Sequence, residues 1–304
     1  MKIFIDNVNL TSSSGPNGFA KKISKEFRKT NSVFTSVQEL IEDKSIPDIQ
    51  LSFIAAQQKL APLVQRLDGI YFNSSQDFNR LNMPIENTYA AADAVVFQSN
   101  FNKILTEKYF GIHKNPYVIS NGTCLDAILK INPMKNEILD RFENIWTCAS
   151  SWRPHKRLKD NIDYFLKMSD SNDCLVVAGE NPDVRIENSR VFYSGHLTWE
   201  NMISLMKRSK YFIHLAWLDH CPNVVIDARA SGCHIVCSSS GGTKEISGKN
   251  STIVIEEEWD YSPVELYSPP KMDYLKSETG ITESEIDIKE VSKKYIDVFV
   301  KTKG

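Results

Sequence analysis

The residues from Leu218 to Glu245, LDHCPNVVIDARASGCHIVCSSSGGTKE, constrain the fold more than any other stretch of the chain. An apolar run from Tyr211 to Trp217 precedes them and reads as a buried strand. Asp219 follows the strand end. Pro222 stands where the first turn of a helix tolerates proline. Val224, Val225 and Ala228 share one helix face, and Gly232 stops the helix. Ile235, Val236 and Cys237 start another strand, and a Ser/Gly-rich turn with Gly241, Gly242 and Glu245 closes the unit. The order is strand, acidic loop, helix, strand, Gly-rich loop. Open α/β sheets bind ligands at the carboxyl ends of such strands. The helix N-terminus at Cys221, Pro222 and Asn223 offers backbone N–H groups and a positive dipole end, suited to a phosphate. Asp227 lies roughly 7–8 Å further along that helix, at about 1.5 Å per residue. One carboxylate can then hold a ribose while the other meets a group beyond the phosphates.

The 304 residues are too many for one ordinary core and predict two domains. Hydrophobic residues at 41% and charged residues at 24% fit a globular protein. A net charge of −2 argues against a whole-protein electrostatic grip on nucleic acid or membrane, though not against a local patch. The six cysteines form no CxxC pair and fall mostly in expected strands, so buried free thiols in a reducing cytoplasm are expected. No signal peptide and no apolar run long enough to span a bilayer is visible.

Lys2 to Ile5 reads as the first strand, followed by the loop Ser12-Ser13-Ser14-Gly15-Pro16-Asn17-Gly18 and a helix from about Phe19. The loop lacks G-x-G-x-x-G, which disfavours a dinucleotide-binding dehydrogenase. Phe19, Ile23 and Phe27 share one face of the helix; Lys21, Lys22, Lys25, Arg28 and Lys29 make the rest basic. That face over residues 19–29 can be plainly solvated, or can meet an anionic membrane or a polyanion. Asp68 precedes Gly69 at a strand end, either as a turn residue or as a site carboxylate. Ser99 caps a helix over Asn100 to Tyr109, and Asn121-Gly122 follows the last strand of this half.

In the second half, strand Asn144 to Cys148 leads into a loop with four cations in seven residues: Arg153, Lys156, Arg157 and Lys159. Such a cluster suits a leaving group that gains negative charge. A strand with its Gly turn over Leu175 to Glu180 comes next, then one over Arg190 to Tyr193 that ends at Gly195-His196, and His220 stands beside Asp219. A final helix over about Ser284 to Lys301 is apolar along one side.

The Asp219–Asp227 unit with Gly241, Gly242 and Glu245 resembles the donor-site motif of retaining GT-B glycosyltransferases, in particular glycosyltransferase family 4 (glycosyl transferases group 1). That family carries two Glu where this chain has two Asp, at the same spacing. The resemblance implies two Rossmann-like domains with parallel sheets facing across a cleft, over residues 1–132 and 133–283. It also implies a last helix, 284–304, that returns to the first domain. It implies an enzyme that moves a sugar from a nucleoside-diphosphate sugar to an acceptor hydroxyl with retention, using no metal and no cofactor. Donor binding would fall to Gly18, Arg153, Lys156, Arg157, Gly195, His220, Cys221, Pro222, Asn223 and Asp227. Asp219 would be the catalytic carboxylate that holds the transferred sugar. Members of the family often bring a His from the first half; no His precedes His113 here, and Asp68 is the substitute on position. The family's basic-loop Arg and Lys lie about five apart, whereas Arg153 and Lys156 are three apart, so Arg157 can share their task. The acceptor stays open among a glycan, a lipid-linked sugar and a modified nucleic acid. The alternatives are a GT-B sugar-nucleotide epimerase and a non-catalytic nucleotide-sugar or polyanion binder. The shorter Asp side chains favour the latter.

Overall fold

Each half of the chain builds its own parallel sheet, because its apolar runs are short, β-branched and separated by helices. The computed structural model describes residues 1–12 and 14–304; Ser13, in the serine run of the first loop, lies outside the described residues. The chain divides into two compact units. One holds Met1–Cys124, Tyr261–Val264 and Glu285–Gly304, and the other Leu125–Asp260 and Glu265–Ser284.

The first unit runs β1 (Lys2–Asp6), α1 (Gly15–Phe27), β2 (Ser32–Phe34), α2 (Val37–Glu42), β3 (Ile49–Phe53), β4 (Leu63–Leu67), α3 (Phe78–Ala91), β5 (Ala94–Phe97), α4 (Asn100–Phe110) and β6 (Pro116–Val118). Its strands lie in the order β2-β1-β3-β4-β5-β6, all parallel. Helix α1 starts at Gly15, four residues before the expected Phe19, because Pro16 already fits the first turn. Gly18 therefore lies inside the helix, and a Cβ there would meet nothing within 4 Å. The apolar stripe behaves as its spacing predicts: Phe19, Ile23 and Phe27 are buried. On the basic face Lys21, Lys25, Arg28 and Lys29 are exposed, while Lys22 donates to Thr123 Oγ1 at 3.1 Å. Helix α3 escaped the sequence reading because Pro84 interrupts its periodicity.

The second unit runs α5 (Leu125–Lys130), β7 (Ile145–Ala149), α6 (Leu158–Met168), β8 (Cys174–Ala178), β9 (Val191–Gly195), α7 (Trp199–Arg208), β10 (Tyr211–His214), α8 (Asn223–Ala230), β11 (His234–Ser238), β12 (Ser251–Val254) and β13 (Ser277–Thr279). The order is β13-β12-β11-β10-β7-β8-β9, parallel except for β13. Strand β12, with Ile253, is covered by β13.

The last helix, α9 (Ile288–Lys303), belongs to the first unit. Its Val291, Tyr295, Val298 and Phe299 are buried with Phe19 and Phe27 of α1. The Phe27 and Phe299 rings lie 5.6 Å apart. Fully burying each such ring contributes roughly 1.5–3 kcal/mol. The chain docks the helix at Gly122, where a Cβ would meet Val291 Cγ2 at 3.0 Å and the Ile288 backbone at 3.1 Å. The resulting architecture is two Rossmann-like units with the C-terminal helix returned to the first. All six cysteines are free thiols, five buried and Cys124 half-buried. Among the described residues no helix is long and apolar enough to cross a membrane.

Candidate active site

In the second sheet the chain passes from β7 outward to β8 and β9, then returns to lay β10 on the other side of β7. The two loops that leave the carboxyl ends of β7 and β10 therefore flank the point where the strand order reverses, the place where open α/β sheets hold ligands. The β7 loop carries the cation cluster and the β10 loop carries Asp219. They meet in an ion pair: Lys156 Nζ lies 2.5 Å from Asp219 Oδ2. Both side chains are mostly buried, at 19% and 14% exposure, so solvent screens this pair less than a surface one.

The local backbone holds Asp219 in place. Leu218 before it takes φ of 55°, a left-handed conformation rare for a branched residue. Gly242 N–H donates to Asp219 O at 2.7 Å, and a Cβ on Gly241 would sit 2.5 Å from that same carbonyl oxygen. Gly241 of the motif is thus needed for close approach to the Asp219 backbone, while Gly242 contributes its N–H. On the β7 side Gly179 plays a similar part: its Cβ would fall 1.8 Å from Ser150 O.

His214 ends β10 and is 4% exposed. Its Nε2 lies 2.9 Å from Asp219 Oδ2. Burial lowers the His214 pKa, and the Asp219 hydrogen bond and charge raise it by less. A neutral ring then donates Nε2–H to the carboxylate. Burial pushes the Asp219 carboxyl upward, but the Lys156 charge and the His214 hydrogen bond outweigh it. Its pKa lies well below the ordinary carboxylate value. Burial also pushes His220 down to about 4, against an opposing pull from Asp219. His155 falls to about 3 through burial and the charge of Lys156, again against Asp219. Its carbonyl accepts from Trp217 N–H at 2.7 Å, tying the β7 loop to the β10 loop.

These shifts give stability a pH dependence. His155 and His220 have folded pKa values of about 3 and 4, below an unfolded value of about 6.5. Below pH 6.5 the unfolded chain binds protons that the folded chain refuses. Stability is full above that pH and falls as the pH drops toward 4. The depressed Asp219 acts in the same direction at lower pH. Urea unfolding at pH 7, 5.5 and 4.5 should show this decline, and His155→Asn or His220→Asn should flatten it. A flat profile in the wild type would mean that both rings are charged in the folded protein.

The other expected site residues fall in three places. Arg153 is exposed at the start of the short 3₁₀ turn Pro154–Lys156. Arg157 is buried, takes φ of 52°, and turns away from that surface. Its guanidinium donates to Glu256 Oε1 at 2.7 Å, Pro270 O at 2.9 Å and Leu215 O at 3.4 Å. Glu256 Oε2 in turn accepts from Ser240 Oγ at 2.7 Å. Helix α8 starts at Asn223, with Pro222 as its N-cap rather than in its first turn and Cys221 buried before it. Asp227 is 6% exposed, and Trp199 Nε1–H donates to its Oδ2 at 3.0 Å. Gly195 takes φ of 69° at the end of β9, and it lines a pocket of about 270 Å³ with Trp152, Gly179, Tyr193, Arg185 and His196. The Arg185 guanidinium lies over the Tyr193 ring at 4.9 Å.

Asp68 belongs to the first unit, just past β4. Its Oδ1 accepts from Arg66 at 2.5 Å and from Gln98 Nε2 at 2.7 Å, while its Oδ2 is buried with no hydrogen-bond partner among the described residues. Burial raises its pKa, and the charge and hydrogen bond of Arg66 oppose this. Arg66 is fully buried, reaches Asn121 Oδ1 at 2.5 Å and packs over the rings of Phe19 and Phe53 at 4.3 and 4.7 Å. Arg66 and His214 were missed by sequence reasoning. Each sits inside an apolar strand run, where a single polar residue gives no local signal. Among the described residues no group of three or more His, Cys, Asp or Glu side chains is placed to hold a metal ion.

Residues 143–262 match the family described as glycosyl transferases group 1. No curated protein matches the chain. Among solved structures, HepE from Anabaena in complex with UDP and glucose is similar, at 14% identity and a TM-score of 0.68, covering 99% of both chains. The catalytic domain of starch synthase IV from Arabidopsis thaliana, bound to ADP and acarbose, is similar at 10% identity and a TM-score of 0.66, again over 99% of both. A glycosyltransferase from Rickettsia africae matches at 15% identity and a TM-score of 0.62, over 99% of this chain and 98% of that one. The chain has the GT-B fold of these transferases, and its second unit carries, over residues 143–262, the match to glycosyl transferases group 1.

Proposed function

We propose that the protein transfers a sugar from a nucleoside-diphosphate sugar to an acceptor hydroxyl with retention of configuration. The observation that carries this reading is the Lys156–Asp219 pair at the β7/β10 point of reversal, with the open cation Arg153 beside it. Similar structures are bound to UDP or ADP, which supports a nucleoside-diphosphate donor. In the reaction the C1–O bond to the diphosphate breaks and its electrons go to the phosphate oxygen. The acceptor oxygen bonds to C1 on the same face, and its proton passes to the departing phosphate. Arg153 and Lys156 stabilise the charge that develops there. Asp219, relieved of part of its pairing with Lys156, accepts a hydrogen bond from a hydroxyl of the transferred sugar.

The N-terminal N–H groups of α8 at Asn223 would face the phosphates, with His220, Cys221 and Pro222 shaping the approach. The Gly195 pocket would take the base, and Asp227, oriented by Trp199, the ribose. Gly18 would leave room for the donor or the acceptor, and Asp68 would orient an acceptor hydroxyl from the first unit. Arg157 acts through the loop: its buried contacts hold Arg153 and Lys156 in place without reaching the diphosphate itself.

Release of nucleoside diphosphate from a panel of nucleotide-sugars, with and without acceptors, tests the reading. Retention would be read from the anomeric configuration of the product. No turnover of any donor, hydrolysis included, would leave a binding protein instead. Arg153→Ala and Lys156→Ala should each weaken binding of the accepted nucleoside diphosphate about tenfold or more, the value of a charge-assisted hydrogen bond of roughly 1.5–3 kcal/mol. Unchanged affinity in isothermal titration would remove the loop from the site. The 2′-deoxyribose form of the nucleotide should bind about tenfold more weakly than the ribose form. Asp227→Asn should shrink that gap, and equal binding of the two forms by the wild type would exclude Asp227 as the ribose ligand.

A further inference from the structure

His214 has no role in the transfer proposed above, yet it is the one titratable side chain in the run from Phe212 to Trp217. Burying an imidazole costs free energy unless its N–H finds a partner. The partner is Asp219, whose Oδ2 lies 2.9 Å from Nε2.

The backbone on both sides builds this contact. The ladder between β10 and β7 stops at Phe212 and Thr147, whereas the ladder between β10 and β11 continues to His214 and Cys237. At His214, therefore, β10 has left β7 while still paired with β11, beside the point where the strand order reverses. The residues from there to Asp219 are pinned one after another. Leu215 N–H donates to Asn161 Oδ1 at 3.1 Å, Ser238 Oγ donates to Ala216 O at 2.8 Å, and Trp217 N–H donates to His155 O at 2.7 Å. Leu218 then takes its left-handed turn. The loop returns Asp219 to His214 with its path fixed at every step.

The carboxylate itself has little freedom left. Oδ2 accepts from His214 and from Lys156 at 2.5 Å, and Oδ1 accepts from the His220 N–H at 3.0 Å. A carboxylate offers about four acceptor positions. Three are filled among the described residues, and the fourth is on Oδ1. The two donors on Oδ2 differ in kind. Lys156 carries a charge on a long flexible arm and can turn to a phosphate. His214 is held at a buried strand end and stays. The shorter acid also fits this arrangement. A Glu at position 219 would reach roughly 1.5 Å further, one carbon–carbon bond. With the imidazole already in hydrogen-bond contact with the Asp oxygen, the longer arm would run into the ring.

We propose that His214 is a positioning residue for the transfer: it orients the Asp219 carboxylate toward the sugar, so that the Asp219–His214 pair does what a longer acid would do alone. This rests on the reading of Asp219 as the ligand of the transferred sugar.

The test compares His214→Val, His214→Gln, Asp219→Glu and the double variant His214→Val with Asp219→Glu, all in the full chain. Three quantities are measured for each: kcat with the donor that the wild type turns over, the Kd of its nucleoside diphosphate, and the ratio of that Kd to the Kd of the intact nucleotide-sugar. Val suits a strand and has no donor. His214→Val should lower kcat about tenfold or more, one hydrogen bond to a charged group, and should shrink the Kd ratio. The nucleoside-diphosphate Kd should stay within about threefold, which a general loss of structure would not allow. His214→Gln should stay within about threefold of wild-type kcat, because its amide N–H reaches the same oxygen. The double variant has the longer acid and room for it, so its kcat should exceed that of Asp219→Glu alone by about tenfold, more than independent sites would give. The proposal is overturned if His214→Val turns over like the wild type, if nucleoside-diphosphate affinity falls with kcat in both single His214 variants, or if the double variant is no faster than Asp219→Glu. If His214→Val does not fold, His214→Gln and the double variant decide the matter. A wild type that binds a nucleotide-sugar without turning it over overturns the transferase reading alone, since the Kd ratio still reports on His214. A wild type that transfers sugar while kcat and the ratio ignore His214 overturns this proposal alone. Absence of any nucleotide-sugar binding overturns both.

Discussion

Asp219→Ala is expected to lower the rate constant for sugar transfer by on the order of 10²-fold or more, the effect of losing one transition-state contact. The Kd for the nucleoside diphosphate should stay within about threefold, because a contact to the sugar that strengthens as the bond breaks acts on kcat more than on nucleotide affinity. The unliganded geometry sharpens this. Lys156 lies 2.5 Å from the Asp219 carboxylate, so removing Asp219 frees the ammonium for the diphosphate. Nucleotide affinity should therefore hold or rise while turnover collapses. Asp219→Glu restores the residue usual in the resembling family, but its longer arm must fit beside His214 Nε2, now 2.9 Å from the shorter one. It should lose activity with the sugar that the wild type accepts. Steady-state rates and titrations of both variants decide the matter: full activity in both would remove Asp219 from the sugar site.

Arg157→Ala is expected to cost about 3–5 kcal/mol of stability, the usual effect of removing one member of a buried ion pair. Glu256, whose side chain is 5% exposed, would keep its charge with Ser240 Oγ as its remaining side-chain partner among the described residues. The Pro270 and Leu215 carbonyls would also lose their donors. For a unit of this size each kcal/mol moves the unfolding midpoint by about 2–4 °C, so the shift should be on the order of 10 °C. Arg157→Met combined with Glu256→Gln should recover part of it, because no unpaired charge remains buried. Differential scanning calorimetry reads the effect. If Arg157→Ala melts like the wild type and fails to bind nucleotide, the guanidinium belongs to the diphosphate after all. The sequence invited that reading, since Arg153, Lys156 and Arg157 look alike in one dimension. In the fold Arg157 has a left-handed backbone and its guanidinium is buried against Glu256, Pro270 and Leu215.

The sequence by itself determined the elements that depend on neighbours in the chain. Phe19, Ile23 and Phe27 made an amphipathic helix through their spacing, Ser99 capped α4 by accepting from Asn102 N–H at 3.1 Å, and Gly111 ended it. Strand, acidic loop, helix and Gly-rich turn from Tyr211 to Glu245 followed from apolar period and turn chemistry alone. Boundaries moved by a few residues where proline or a cap intervened, as at Gly15 and Asn223. Which polar group faces which was decided by tertiary structure. Lys156 and Asp219 are 63 positions apart, and Arg157 and Glu256 are 99 apart. They meet because β10 was laid beside β7 and β12 beyond β11. His214 became a site residue because the loop leaving β10 folds Asp219 back onto it, and Arg66 a core residue because the strand order brings Asn121 within reach. The physical reason is common to all of these. Local backbone preference and hydrophobic period act over a few residues, whereas a buried charge must find its partner wherever the sheet order places it.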